Sequence, residues 1–141
     1  MTATLDLDRL NELLIALSRS LLQYTQEAWP WTPETDGVDR RGAIERLAMR
    51  QQESVRELAE FLDAAGHPVR FGVYPEAFTS LHYVSLRYLL EKIVANQQAL
   101  VETCEQAARE VADDPQAAEV LEHILRRERD ILNELRQLAG R

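Results

Sequence analysis

One segment between two predicted helices constrains the fold of this chain more than any other feature. Residues 67–84, HPVRFGVYPEAFTSLHYV, lack the apolar spacing of a helix, although the stretches on both sides have it. A connection this long without secondary structure of its own is uncommon in a compact domain. Fully extended it reaches roughly 60 Å, whereas a helix of about 27 residues is roughly 40 Å long. The segment can therefore run the whole length of a helical bundle, so that the helices before and after it are parallel.

Apolar residues recurring at three- and four-residue intervals predict four amphipathic helices. The third is expected to start after an N-cap at Ser85, although Thr79 or Ser80 could also begin it. The sequence predicts a single all-α domain over residues 1–141, a four-helix bundle in which two antiparallel hairpins are joined by the long crossover. The predicted helices cover about residues 6–29, 38–65, 85–112 and 115–138, and the crossover covers about 66–84.

The crossover itself contains apolar side chains. We expect them to pack along the bundle, because a segment that runs beside helices can cover part of their apolar surface. The side chains concerned are Val69, Phe71, Val73, Tyr74 and Phe78.

Composition excludes several classes of function. The formal net charge of −8 argues against nonspecific binding of nucleic acid and against docking to anionic membranes. No apolar run approaches the roughly 20 residues of a membrane span, and the N-terminus lacks the pattern of a secretion signal. The chain has one cysteine, Cys104, which cannot form an internal disulfide, so a cytoplasmic location is expected. Cys104 lies on the apolar stripe of the third helix and is expected to be buried.

Three stretches of the sequence share features with one known family: LNELLIALSRSLLQYTQEA with its Gln23-Tyr24 pair, ELAEFLDAAGHP and ILRRERDIL. They resemble, in this order, the first helix, the end of the second helix and the fourth helix of ferritin-like proteins of the bacterioferritin and rubrerythrin type. The resemblance implies a ferritin-like bundle with a two-iron or two-manganese site. That site takes a Glu from each of two helices and a Glu-x-x-His from each of the other two.

Most ligand positions implied by this resemblance carry other residues. Glu128 alone keeps a ligand type, and shifting the second or third helix by one residue brings in Arg50 and Glu53, or Asn96, without restoring the set. One carboxylate cannot neutralise a dinuclear centre, so we expect no metal and no cofactor. The positions where other residues replace the implied ligands are Leu17, Gln51, Ser54, Gln97 and Ile131.

A buried polar network is predicted at the former metal site instead. Glu128 would face Gln51 and Gln97, with Ser54 and Tyr24 within reach. A buried carboxylate must be paired, and it stays ionised only if several donors offset its desolvation.

The sequence therefore favours a non-catalytic bundle that acts as a structural or protein-interaction module. Its partner is an unknown protein or a second copy, and the habits of the fold favour a dimer. The alternative is a degenerate site centred on Glu128 that binds iron, manganese or a small molecule, with residual oxidoreductase activity. That alternative predicts a pocket connecting Glu128 to solvent.

Overall fold

The computed structural model of the chain describes residues 5–29, 36–82 and 84–140, so that Tyr83 of the predicted crossover lies outside the described residues. Within these ranges the chain forms helices and connections without strands. The second, third and fourth predicted helices each begin and end within two residues of the predicted positions. In chain order the elements are α1 (Leu7–Ser18), α2 (Leu21–Glu27), α3 (Asp36–Ala64), a short 3-10 helix (Glu76–Leu81), α4 (Leu86–Glu110) and α5 (Pro115–Ala139).

Side-chain caps define where α4 and α5 begin. The Ser85 hydroxyl accepts a hydrogen bond from the Tyr88 N–H, and the Asp114 carboxylate accepts one from the Ala117 N–H. The alternative start of the third predicted helix at Thr79 or Ser80 is wrong, because both residues lie in the 3-10 helix that precedes α4.

The first predicted helix, residues 6–29, is divided at Ser20. This residue has an extended backbone, and its hydroxyl accepts a hydrogen bond from the Gln23 N–H at 3.2 Å, so it is an N-cap inside the predicted helix. The Leu21 N–H donates to the Asn96 side chain on α4 at 3.0 Å. The prediction of one continuous helix is wrong here, because a serine can satisfy the backbone in a turn as well as in a helix.

Two apolar clusters show the directions of the helices. The first contains side chains of α1, the second halves of α3 and α4, and the first half of α5. The second contains side chains of α2, the first halves of α3 and α4, and the last part of α5. α3 and α4 therefore run parallel, and α1–α2 and α5 run in the opposite direction. The predicted bundle of two antiparallel hairpins joined by a long crossover is confirmed.

The crossover follows α1 and α2 along their length. The buried Asn11 side chain exchanges two hydrogen bonds with the backbone of Arg70, both at 3.0 Å, much as a neighbouring strand would. Further contacts follow one another in the same order along both segments: His67 with Asp8, Gly72 with Arg19, and Tyr74, Phe78 and His82 with Tyr24.

Two of the five apolar crossover side chains do not pack as predicted. Val69 and Phe78 pack against the apolar clusters, but Phe71 is 45% exposed and Val73 is 85% exposed. An extended segment points successive side chains to opposite sides. Gly72 is the position that lies against α1, Val73 beside it is largely open to solvent, and Phe71 lines a surface groove next to α3. No helix in the described part of the chain is long and apolar enough to cross a lipid bilayer.

Candidate functional site

A layer of buried polar side chains separates the two apolar clusters. In α3 it follows Leu47 and Ala48 of the second cluster and precedes Leu58 of the first. In α4 and α5 as well, the buried apolar residues before the layer belong to one cluster and those after it belong to the other. We call this group the polar layer; its members are Ser20, Gln23, Gln51, Ser54, Gln97 and Glu128.

The carboxylate of Glu128 accepts hydrogen bonds from three side chains of α3 and α4. Gln51 Nε2 and Gln97 Nε2 donate to Oε1 at 2.7 and 3.0 Å. The Ser54 hydroxyl donates to Oε2 at 2.8 Å. Glu128 itself has no exposed surface, so these donors replace the water that the carboxylate loses on folding.

Backbone carbonyls determine which way the amides face, because a carbonyl oxygen can only accept. Gln23 Nε2 donates to the Ala48 carbonyl at 2.8 Å and also to Gln51 Oε1 at 3.1 Å. Since Gln51 Oε1 accepts from Gln23, the amide nitrogen of Gln51 is the atom that faces Glu128. Gln97 Nε2 donates to the backbone carbonyl of Glu128 at 3.1 Å, which directs its NH2 group toward the carboxylate.

The Ser54 hydroxyl connects the buried carboxylate to an ion pair between α3 and α5. Arg127 Nη1 donates to Ser54 Oγ at 3.1 Å, and the guanidinium donates to both carboxylate oxygens of Glu57 at 2.8 and 3.1 Å. Because Ser54 Oγ accepts from Arg127, the serine hydrogen remains available for Glu128. The hydrogen bonds from Arg127 lower the pKa of Glu57 below its ordinary value.

Burial raises the pKa of Glu128 above the ordinary carboxyl value of 4.5. The hydrogen bonds from Gln51, Gln97 and Ser54 and the positive charge of Arg127 act in the opposite direction without cancelling the effect of burial. Folding therefore raises the affinity of the Glu128 carboxylate for a proton above that of an ordinary exposed carboxylate.

The structure brings together four of the five predicted network residues, and Tyr24 lies elsewhere. The Tyr24 hydroxyl is hydrogen-bonded to His82 Nε2 at 2.6 Å, and its ring contacts Tyr74 and Phe78 in the crossover. Two residues outside the predicted network, Ser20 and Gln23, join the layer.

A signal for both added residues is present in the sequence. Ser20-Leu-Leu-Gln23 has the spacing of a capping box, which marks a helix start. In the structure Ser20 caps α2, while the Gln23 side chain turns into the layer and bonds to Ala48 and Gln51 on α3.

The other predicted ligand positions are buried beside the layer. Leu17 belongs to the first apolar cluster and Ile131 to the second. The alternatives one residue away have different partners: Arg50 pairs with Glu134 at 2.8 Å, Glu53 lies 3.7 Å from Arg127, and Asn96 accepts from Leu21.

Comparison with models of known protein families assigns the chain to one of them. A family model described as the ferritin-like domain matches residues 7–141. The chain belongs to the ferritin-like family. No curated protein and no solved structure matches it. The polar layer of this ferritin-like chain can therefore be compared with the dinuclear site that the family implies.

The residues of the layer do not fit a dinuclear metal centre. The layer contains one carboxylate, and the groups closest to it are N–H and O–H donors, which would face a cation with their positive ends. In the part of this ferritin-like chain that the structure describes, no group of three or more His, Cys, Asp or Glu side chains could hold a metal ion. The arrangement is suited to solvating one carboxyl group.

The cysteine lies in the first apolar cluster. Cys104 is fully buried, and burial raises the pKa of its thiol far above the ordinary range. A thiol in this environment reacts slowly, because the thiolate is the nucleophilic form.

Proposed function

We propose that this ferritin-like bundle is a non-catalytic structural or protein-interaction module in which the polar layer takes the place of a dinuclear metal site. The observation that supports the proposal most directly is the direction of the hydrogen bonds. Gln51, Gln97 and Ser54 all donate to Glu128, and the carbonyls of Ala48 and Glu128 determine this direction for both amides.

The polar layer joins helices as a shared metal would. Ser20, the N-cap of α2, and Gln23 of α2 donate hydrogen bonds to Gln51 of α3, at 2.6 and 3.1 Å. Gln51 in turn bonds to Gln97 of α4 and Glu128 of α5, at 3.0 and 2.7 Å. Every helix segment at mid-bundle is thus connected to the same hydrogen-bond network. In the proposed function, these hydrogen bonds hold the helices together without a metal ion, and the protein acts through contacts with a protein partner.

The alternative function, binding of a metal or small molecule at Glu128, requires solvent to reach this carboxylate. Glu128 is 0% exposed, and its three side-chain donors occupy both carboxylate oxygens. The alternative therefore needs the layer to open, and the metal content of the protein distinguishes the two functions.

The untagged protein is expected to contain far less than one equivalent of iron or manganese per chain after expression in medium supplemented with both metals. Elemental analysis by mass spectrometry measures this directly. One or two equivalents would contradict the proposal, and their loss in a Glu128→Gln variant would place the metal in the polar layer.

A positive control restores the ligands that the family implies. All five changed positions are buried, so the variant should bind Fe²⁺ or Mn²⁺ if they surround the former metal site. Circular dichroism must show that the variant is folded, and a folded variant that binds no metal would show that the positions are misplaced. The substitutions are Leu17→Glu, Gln51→Glu, Ser54→His, Gln97→Glu and Ile131→His.

A further inference from the structure

Polar contacts lead from the buried carboxylate of Glu128 to the surface on the side where α3 meets α5. Glu128 Oε2 accepts a hydrogen bond from the Ser54 hydroxyl at 2.8 Å, and Ser54 Oγ accepts one from Arg127 Nη1 at 3.1 Å. Glu128 and Ser54 have no exposed surface, whereas the Arg127 side chain is 17% exposed. Arg127 is therefore the first group on this path that water can reach.

A second path of polar contacts leads from the layer to the side where α2 meets α3. The exposed Gln52 donates from Nε2 to Gln23 Oε1, and Gln23 Nε2 donates to Gln51 Oε1, each at 3.1 Å. Gln51 in turn donates to Glu128. This path is one hydrogen bond longer than the path through Ser54, and both Gln23 and Gln51 are buried. Along the bundle axis, the two apolar clusters separate the layer from both ends.

The charge of α3 holds Arg127 beside Ser54. The guanidinium donates to both carboxylate oxygens of Glu57, at 2.8 and 3.1 Å. These hydrogen bonds hold the pKa of Glu57 below its ordinary value, so the ion pair is formed at neutral pH. The other charged or titratable groups that act on this pair lie on the same two helices, α3 and α5; they are Glu53, Arg56, His123 and Glu128. The pair can therefore break while the other helices stay in place.

Opening the path through Ser54 needs only the rotation of one partly exposed side chain. Such a rotation is faster and less costly than the separation of packed helices. Once the guanidinium has moved away, a water molecule can replace it as the donor to Ser54 Oγ. Opening the path on the side of α2 instead requires buried amides to lose their hydrogen bonds.

We propose that the ion pair of Arg127 and Glu57 is the gate through which the polar layer exchanges with solvent. The inference rests on the metal-free polar layer proposed above and identifies how that layer is closed. In the closed state the pair isolates Glu128, and in the open state water or a proton reaches the carboxylate through Ser54.

Hydrogen exchange of glutamine side chains tests this gate. The NH2 groups of Gln51 and Gln97 donate to Glu128 inside the layer, so their hydrogens exchange with solvent only when the layer opens. NMR spectroscopy of isotope-labelled protein measures these exchange rates at one fixed pH. The backbone N–H groups of Leu58 and Ile131, in the apolar clusters on either side, serve as references for unfolding of the whole bundle in the same spectra.

Arg127→Met removes the guanidinium and keeps an apolar side chain of similar length. It should speed the exchange of both glutamine side chains by at least about tenfold relative to the references, because it removes charge-assisted hydrogen bonds. Glu57→Gln should act in the same direction and to a smaller degree, since a neutral amide holds the guanidinium less strongly. If Arg127→Met does not fold, Glu57→Gln alone decides the question.

Two variants serve as controls. Arg50→Met removes another ion pair between α3 and α5, in which Arg50 donates to Glu134 at 2.8 Å rather than to a member of the layer. Gln52→Ala removes the exposed end of the path on the side of α2. Neither should change the exchange of the layer relative to the references.

Three results would overturn the gate. One is equal exchange of the layer and the references in every variant, which would mean that the layer opens only when the bundle unfolds. Another is faster exchange in Gln52→Ala and not in Arg127→Met, which would place the opening on the side of α2. The third is an effect of Arg50→Met as large as that of Arg127→Met.

Metal analysis of the same samples separates this inference from the proposed function. Stoichiometric iron or manganese would overturn the metal-free role of the polar layer. Exchange measured after a chelator has removed the metal would still decide whether Arg127 and Glu57 form the gate.

Discussion

Replacing Glu128 with alanine is expected to lower the free energy of unfolding by about 3–5 kcal/mol. The Glu128→Gln variant should be as stable as the wild type, or more stable, at neutral pH. Alanine leaves a cavity and removes the acceptor of the Gln51 and Gln97 amides, which are buried with it. Glutamine keeps the shape and an acceptor oxygen, and it removes a charge that burial disfavours.

Urea unfolding followed by circular dichroism measures both changes. The matched controls are Glu122→Ala and Glu122→Gln, at an exposed position of the same helix, where surface substitutions usually change stability by less than about 0.5 kcal/mol. If Glu128→Gln is as destabilising as Glu128→Ala, the negative charge itself is required, and the layer holds a cation or another ligand.

The stability of the wild type relative to Glu128→Gln should depend on pH. The pKa of Glu128 is raised in the folded chain, so between the unfolded and folded pKa values the folded state binds a proton that the unfolded state lacks. The stabilisation from this bound proton is fully present below the pKa of Glu128 in the unfolded chain and is lost as the pH rises through its pKa in the folded chain. The Glu128→Gln variant has no ionisable group at this position and does not lose stability in this way. Its advantage over the wild type should therefore grow by up to about 1.4 kcal/mol per pH unit and then level off.

Unfolding measured at several pH values from about 4 to 8 gives this difference. Groups with lowered pKa values, such as Glu57, are present in both proteins and cancel when the two are subtracted. A difference that does not change with pH would mean that burial does not raise the pKa of Glu128.

The second large effect is expected at Gly72, where the crossover lies against α1. Gly72→Ala should lower the free energy of unfolding by about 2–4 kcal/mol, and Gly66→Ala by about 1 kcal/mol. Both glycines have positive φ, +74° and +79°, so an alanine is strained at either position. At Gly72 the added Cβ would also lie 2.7 Å from Cγ2 of Ile15, whereas at Gly66 it would meet nothing within 4 Å.

A double-mutant cycle isolates the contact. Ile15→Ala removes the atom that obstructs the new Cβ, so Gly72→Ala should destabilise the Ile15→Ala background less than the wild type. Equal effects of Gly72→Ala and Gly66→Ala in the wild type would show that the crossover does not press on α1 at this point.

The sequence predicted the topology because the determining features are long and periodic. The apolar stripes of α3, α4 and α5 define their lengths and inward faces, and the length of residues 67–84 allows a lengthwise crossover. The same inward faces led to Gln51, Gln97 and Glu128 being placed together. A residue's position on a helical stripe fixes the direction of its side chain, whatever its chemistry.

The features that the sequence did not predict depend on local hydrogen bonds and on the path of the crossover. The apolar stripe continues through Leu17 and Leu21, so periodicity gives no sign of the break, which results from the cap formed by Ser20. Tyr24 lies on that stripe but meets His82, whose place depends on the path of the crossover. Periodicity does not determine the path of a segment that is not a helix, and the exposure of Val73 was missed for the same reason.

The polar layer also determines how the helices align along their length. Two clusters made largely of leucine would tolerate the displacement of one helix by a turn, about 5.4 Å, because one leucine can take the place of another. Such a displacement of α4 would move Gln97 among apolar side chains and break its hydrogen bond to Glu128. Each buried polar group left unpaired would cost about 1–3 kcal/mol of stability. Leucines at Gln51 and Gln97 would bury more apolar surface but would permit several alignments. We infer that the layer exchanges some stability for a single arrangement of the four-helix bundle.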